Sequence, residues 1–85
     1  MNADLEDFKT GWFGLFIGLK SQEIDELIGA LEDLKKYKSH FHFRSTFEGN
    51  GGIGDIEVYY EEEGVPNGLS LESSSRPYTP GQEDE

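Results

Sequence analysis

A single amphipathic helix is the clearest element in the hydrophobic pattern of this chain. Five apolar residues recur at helical spacing and share one face: Ile24, Leu27, Ile28, Leu31 and Leu34. Ser21 precedes this stripe as the expected N-cap, and Lys35 and Lys36 favour the negative end of the helix dipole. The pattern predicts a helix from Ser21 to about Tyr37.

Strand patterns lie on both sides of this helix. The first run, from Gly11 to Leu19, is aromatic and apolar on both faces, with Trp12 and Phe16 on the face that also carries Gly14 and Gly18. The glycines leave room beside the rings, which is typical of a pocket or of a close backbone approach, although a twisted central strand is the simpler interpretation. After the helix, two alternating runs between Ser39 and Glu61 flank a glycine-rich loop and predict a β-hairpin.

The predicted hairpin separates apolar from polar side chains. Its apolar face carries Phe41, Phe43, Phe47, Ile56, Val58 and Tyr60. Its polar face carries His40, His42, Arg44, Glu57 and Tyr59, with Asp55 and Glu61 at the flanks. Leu69 to Leu71 are an expected short fourth strand.

The order β-α-β-β predicts an α+β fold, in which a single helix packs on one face of a small three- to four-stranded, largely antiparallel sheet. The apolar residues expected beneath the helix are Phe13, Leu15, Ile17, Phe41, Phe43, Ile56 and Val58. We expect residues 1–10 to be an acidic N-terminal lead, residues 11–72 the single domain, and residues 73–85 a flexible acidic tail.

The charge balance narrows the kind of partner. Eighteen acidic against seven basic residues give this 85-residue chain a formal net charge of −11, which disfavours nucleic acid and anionic membrane surfaces as partners. Such an excess steers association with a basic protein, for example one that handles nucleic acid. The chain has no cysteine, and its longest apolar run is about half the length that spans a bilayer, so we expect a soluble cytoplasmic protein.

Candidate chemistry is sparse. His40 and His42 project from one face of a strand and could hold a metal ion with Asp55 or Glu57, but the spacing fixes no third ligand. His42 with Glu57 could exchange protons, yet no nucleophile motif or deep cleft is implied. The glycine loop lacks the Lys-Ser/Thr ending of a phosphate-binding loop. We therefore expect no enzyme activity, no metal and no cofactor.

A protein-binding role fits the second sheet face, which the single helix leaves open. Exposed aromatic rings among charges are typical of a protein-binding surface. The expected partner-binding residues are Trp12, Phe16, His42, Arg44, Asp55, Glu57, Tyr59 and Glu61. A second copy of the chain could also cover this face, so an obligate homodimer, or a phage-type or regulatory interaction module, is the alternative.

Three short strings carry a family resemblance: Gly11-Trp12-Phe13-Gly14-Leu15, His40-Phe41-His42-Phe43 and the run from Gly51 to Tyr59. Together they resemble the immunity protein 32 family, small bacterial immunity proteins of polymorphic toxin systems. The resemblance spans roughly residues 11 to 60. It implies a cytosolic antidote that binds a cognate toxin and blocks it.

Overall fold

A computed structural model describes residues 1–73 of the chain. Its elements are, in order, β1 (Asn2–Asp7), β2 (Phe13–Gly18), α1 (Ser21–Tyr37), β3 (His40–Arg44) and β4 (Asp55–Tyr59). The α+β class is confirmed. The strands form two separate antiparallel two-stranded sheets, β1–β2 and β3–β4, in place of the one sheet of three or four strands that we expected.

The helix occupies the predicted span, but its N-cap is Lys20 and not Ser21. Ser21 is the first helical residue and Lys20 is the N-cap, whose backbone N–H donates to Glu23 Oε1 at 2.9 Å. The N-terminal ammonium of Met1 lies 2.6 Å from Glu23 Oε2. The hydrogen bond from this ammonium, followed by the one from the Lys20 backbone, lowers the pKa of Glu23 from its ordinary value. Lys38 ends the helix in the left-handed conformation, with its N–H on the Leu34 carbonyl at 2.8 Å.

The β3–β4 hairpin has the predicted alternation. Phe41 lies opposite Val58 and Phe43 opposite Ile56, and all four side chains are half-buried on the face towards the helix side. The two phenylalanine rings meet edge to face with centroids 5.7 Å apart. The strand ends at Arg44, so the expected apolar role of Phe47 is wrong: this residue lies in the loop and is exposed.

The N-terminal segment forms a strand that the sequence pattern did not predict. Residues 1–10, expected to be an acidic lead outside the domain, contain β1, which pairs along its whole length with β2. The turn between them includes Lys9 and Gly11, both at positive φ, and also holds Trp12, which therefore precedes the strand in which we placed it. The first run of aromatic residues thus finds its pairing partner before it in the chain, and the helix does not separate the two.

The helix stripe is wider than the surface that covers it. α1 packs on β3, and its half-buried residues Leu27, Ala30 and Leu34 lie along one edge of the stripe. The other edge, formed by Ile24, Ile28 and Leu31, is exposed, and we call it the open helix stripe. Two short strands are too narrow to shield an apolar arc of this width.

The first hairpin is likewise uncovered. Its register places Leu5 opposite Leu15, and alternation puts Phe13 and Ile17 on the same side; these four residues are the apolar hairpin face. All four are exposed, so the expectation that the helix covers Phe13, Leu15 and Ile17 is wrong. None of the residues in the described range 1–73 is fully buried, so this part of the chain has apolar faces but no closed core.

The segment after β4 adds no strand within the described range. Leu69 and Leu71, expected in a fourth strand, have no regular structure and are almost fully exposed. The predicted acidic tail lies outside the described residues from position 74 onwards. Across residues 1–73, no helix combines the length and the apolar character needed to cross a membrane.

Candidate protein-binding surface

The outer face of the β3–β4 hairpin brings together most of the residues predicted to bind a partner. Antiparallel register sets three pairs directly across the ribbon: His40 opposite Tyr59, His42 opposite Glu57, and Arg44 opposite Asp55. Opposed residues on an antiparallel ribbon project to the same side, so these six side chains share one face. The sequence pattern predicted this face correctly, and the register supplies the pairing.

Polar contacts hold the centre of this face together. His42 Nδ1 lies 3.0 Å and 3.1 Å from the two carboxylate oxygens of Asp55, and its Nε2 lies 3.9 Å from Glu57 Oε1. Arg44 Nε lies 3.6 Å from Asp55 Oδ1, so one carboxylate serves two basic side chains. The His40 ring meets the His42 ring edge to face at 5.2 Å. These contacts fix the rotamers of the face, which lowers the entropy lost when a partner binds.

Tyr59 and Glu61 form the end of the face. The Tyr59 ring is 57% exposed, and its hydroxyl donates to Glu61 Oε2 at 3.4 Å. Glu62 and Glu63 follow directly in the chain, so the residues after this end of the ribbon are acidic. Partial loss of hydration, and next the charge and hydrogen bond of Glu63, raise the pKa of the neighbouring Tyr60 hydroxyl.

Trp12 and Phe16 lie on the other hairpin, so the structure does not place them in the β3–β4 sheet. Both rings are exposed, Trp12 by 60% and Phe16 by 51%. Phe16 pairs with Asp4 across β1–β2, on the side opposite the apolar hairpin face, so this ring also has a carboxylate beside it. The two predicted aromatic anchors therefore lie at the first hairpin, and of the two only Phe16 pairs with an acidic residue across the strands.

The space beside Phe16 is filled and does not form a pocket. A Cβ placed at Gly14 would lie 2.5 Å from Phe8 Cζ and 3.3 Å from Phe16 Cε2, so the Phe8 ring occupies the notch that the glycine leaves. Neither the expected pocket nor the expected close backbone approach is seen at Gly14, because the neighbouring atoms belong to side-chain rings. The Phe8 ring comes from the segment that we expected to be an acidic lead.

Phe47 is an exposed aromatic residue that the sequence pattern placed on the apolar face of the hairpin. It has φ +60°, which is uncommon for a bulky residue, and its ring is 77% exposed. Its N–H donates to Ser45 Oγ at 2.8 Å, which closes a local turn directly after β3. The interruption of the alternation at Ser45 was the only signal that the strand ends there.

The described residues contain no group of three or more His, Asp or Glu side chains arranged to hold a metal ion. His40 and His42 are adjacent, but the contacts of His42 are with Asp55 and Glu57 and not with a shared centre. An open cleft of about 640 Å³ lies between the start of β1 and the β3–β4 loop, lined by Met1 to Ala3, Phe43 to Gly54 and Ile56.

In comparisons with known proteins, no family model, no curated protein and no solved structure matches this chain. The resemblance to the immunity protein 32 family therefore stays a prediction, based on the three strings of residues given above.

Proposed function

We propose that this protein binds a basic protein partner and inhibits it by occlusion, as an immunity protein neutralises a cognate toxin. The observation that supports this function best is the placing of large exposed rings beside carboxylates. Tyr59 is bordered by Glu61, and Phe16 lies across from Asp4. Aromatic rings supply most of the energy at the centre of interfaces, and flanking charges select the partner.

The net negative charge of the chain favours a cationic partner for this surface. A net charge of −11 on 85 residues attracts a cationic protein over distances of about a Debye length, roughly 8 Å at physiological salt. The pairing of Asp55 with Arg44 offsets one negative charge at the centre of the β3–β4 face, while Glu61 to Glu63 follow at its end. We infer that the partner carries an apolar contact area ringed by lysine or arginine.

Occlusion needs no reacting group on this chain. The side chains of Asp55 and Glu57 are each 49% exposed on a two-stranded ribbon, open to water and without surrounding walls. A catalytic carboxylate commonly needs a site that excludes water and shifts its pKa. The face is therefore better suited to contact with another protein than to chemistry, and we propose a non-catalytic role in the cytoplasm.

The test is direct binding to the basic protein encoded beside this gene. Full-length protein should bind it with a dissociation constant below micromolar, rescue the growth of cells that express it, and associate more slowly as salt is raised from 50 to 300 mM. Tyr59→Ala should weaken binding by about 30-fold, the size typical of an interface hot spot. Trp12→Ala combined with Phe16→Ala should weaken binding without unfolding the domain.

Tyr37→Ala is the matched control. Tyr37 is also an exposed tyrosine, at 64%, but it lies at the lysine-rich end of α1 with Lys36 Nζ 5.2 Å from its ring centre. Its loss should change the affinity by less than twofold. If the two tyrosine variants lose the same affinity, the acidic face is not part of the interface. If the wild type neither binds the basic protein nor rescues growth, the proposed function is wrong.

A further inference from the structure

Two apolar surfaces of this chain are left open. On the apolar hairpin face, the four side chains are between 42% and 62% exposed, and on the open helix stripe the three side chains are between 44% and 51% exposed. Both surfaces follow from regular periodicity in the sequence, which single scattered hydrophobic residues on a surface do not show. Contiguous patches of this kind are characteristic of interfaces.

The β1–β2 hairpin has little support from the rest of its own chain. Within the described elements, β1 and β2 pack extensively only on each other, while α1 packs on β3. The hairpin meets the remainder at the start of β1, through the Met1 ammonium on Glu23 and across the open cleft. A two-stranded hairpin is marginally stable in water by itself, so its apolar face needs a covering surface.

The charges around these two surfaces indicate that the surface that covers them differs from the basic partner proposed above. None of the seven residues is charged, and Asp4 and Glu6 alternate to the opposite side of the hairpin, but Asp7 lies on the same side as the apolar hairpin face, opposite Phe13. Asp7 lies at the turn end, where its carboxylate accepts the Lys9 N–H at 2.8 Å. The helix carboxylate of Glu26 lies on the side of α1 away from the stripe. Apart from Asp7 at the turn end, these surfaces offer contacts to an apolar partner and none specific to a cationic protein.

The two surfaces complement each other, but within one chain they do not meet. We propose that the protein forms a two-fold symmetric homodimer in which the apolar hairpin face of each chain packs on the open helix stripe of the other. A two-fold axis makes this contact twice, so both surfaces of both chains are covered at once. Only Leu19 and Lys20 separate β2 from α1, so each hairpin can extend from its helix towards the partner.

The uncovered area matches what a stable dimer requires. Seven large side chains, each about half exposed and with about 200 Å² at full exposure, leave about 700 Å² per chain. Standard protein interfaces bury about 800 Å² per partner. The acidic faces remain outside this interface, so the dimer is independent of the proposed inhibitory function.

The experiment measures the mass of the full-length chain by sedimentation from 0.5 to 200 µM. The wild type should have twice the 9.6 kDa chain mass. Leu15→Glu and Ile28→Lys should each reduce the dimer fraction at least tenfold, since each buries a charge opposite an apolar group. Glu26→Lys, on the far side of the helix, should remain dimeric, as should Tyr59→Ala.

Mixing the two interface variants identifies which surfaces meet. A Leu15→Glu chain with an Ile28→Lys chain has one wild-type contact and one Glu–Lys contact, so the mixture should recover a heterodimer and its helical circular dichroism even if either variant alone is unfolded. A dimer that survives both single variants, or one that both variants break without recovery on mixing, overturns the proposed pairing. A folded wild-type monomer at all concentrations overturns it as well, and would assign the covering role to another protein.

Discussion

The loop residue Phe47 gives a quantitative test of the hairpin geometry. Its backbone is left-handed at φ +60°, its ring is 77% exposed, and its Cε1 lies 3.4 Å from where a Cβ at Gly54 would be. Phe47→Asn and Phe47→Ala both remove the ring, but only asparagine among these residues adopts the left-handed region readily. Comparison of the two variants therefore isolates the backbone conformation from the side-chain contact.

The magnitude follows from these two contributions. A left-handed backbone costs a residue with a Cβ about 1–2 kcal/mol, and asparagine recovers part of this through local hydrogen bonding, so the two variants should differ by about 1 kcal/mol. Since only about a quarter of the ring is covered, its removal should cost about 0.5 kcal/mol in both. For a domain of this size, the Asn variant should melt about 4–8 °C above the Ala variant.

The assay is thermal unfolding followed by circular dichroism, at one protein concentration for the wild type and both variants. Phe47→Ala should lie slightly below the wild type, and Phe47→Asn at or above it. Equal melting temperatures for the two variants would show that position 47 is not left-handed in solution. A loss of several kcal/mol in both would instead place the ring in a core, as its position in the sequence pattern suggested.

Three further predictions concern stability. The Gly14→Ala variant should have a free energy of unfolding about 1 kcal/mol below that of Gly18→Ala, because the new methyl group would displace the Phe8 ring, whereas at position 18 the nearest atom is 4.0 Å away. Equal stabilities in thermal unfolding would show that the Phe8 ring does not lie beside Gly14. Glu23 should contribute its full stabilisation of the folded state above its ordinary pKa of 4.5, and this stabilisation should be lost as pH falls through the lower pKa of the folded state. N-terminal acetylation should raise the folded-state pKa of Glu23 in an NMR titration, and an unchanged pKa would contradict the contact with the Met1 ammonium. Phe43→Ala should cost about 2 kcal/mol in denaturant unfolding, half the loss at a fully buried site, and a cost near zero would place the ring in solvent.

The elements that the sequence predicted well are those fixed by local physics. In α1, the spacing of the apolar residues and the charges at the two ends indicate the same helix, and the structure confirms it from Ser21 to Tyr37. Only the cap differs: the side chain of Glu23 accepts the backbone N–H of Lys20, so Lys20 is the cap and the helix begins one residue earlier than it would after a Ser21 cap. The β3–β4 alternation was equally local and is confirmed.

Strand pairing was not predictable from the pattern. Residues 2–7 contain Asn, two Asp and a Glu, which are poor strand formers, and they become β1 because β2 offers a partner along its whole length. Periodicity shows which residues share a face but not which strand lies alongside. We therefore assigned β2 to the same sheet as β3 and β4, when it pairs with the segment that precedes it.

For the candidate surface too, alternation within a strand was predictable, whereas the pairing of strands was not. Alternation placed His42, Arg44 and Glu57 on one face, and the register confirms that they share it. Trp12 and Phe16 do not share this face, because the prediction that they do depends on a single sheet and the structure has two. Phe47 lies off the predicted face because β3 ends at Arg44, and the local turn in which the Phe47 N–H donates to Ser45 Oγ is not indicated by the alternation of apolar residues.

Every strand in this structure pairs with its nearest neighbour in the chain, and the helix packs on the strand that follows it. The contacts within each piece therefore cost little loop-closure entropy, although each piece is only marginally stable until its apolar surface is covered. Chain topology should not limit the rate at which this protein acquires its structure, and the slow step becomes the encounter between molecules. Refolding should accordingly speed up as the protein concentration rises.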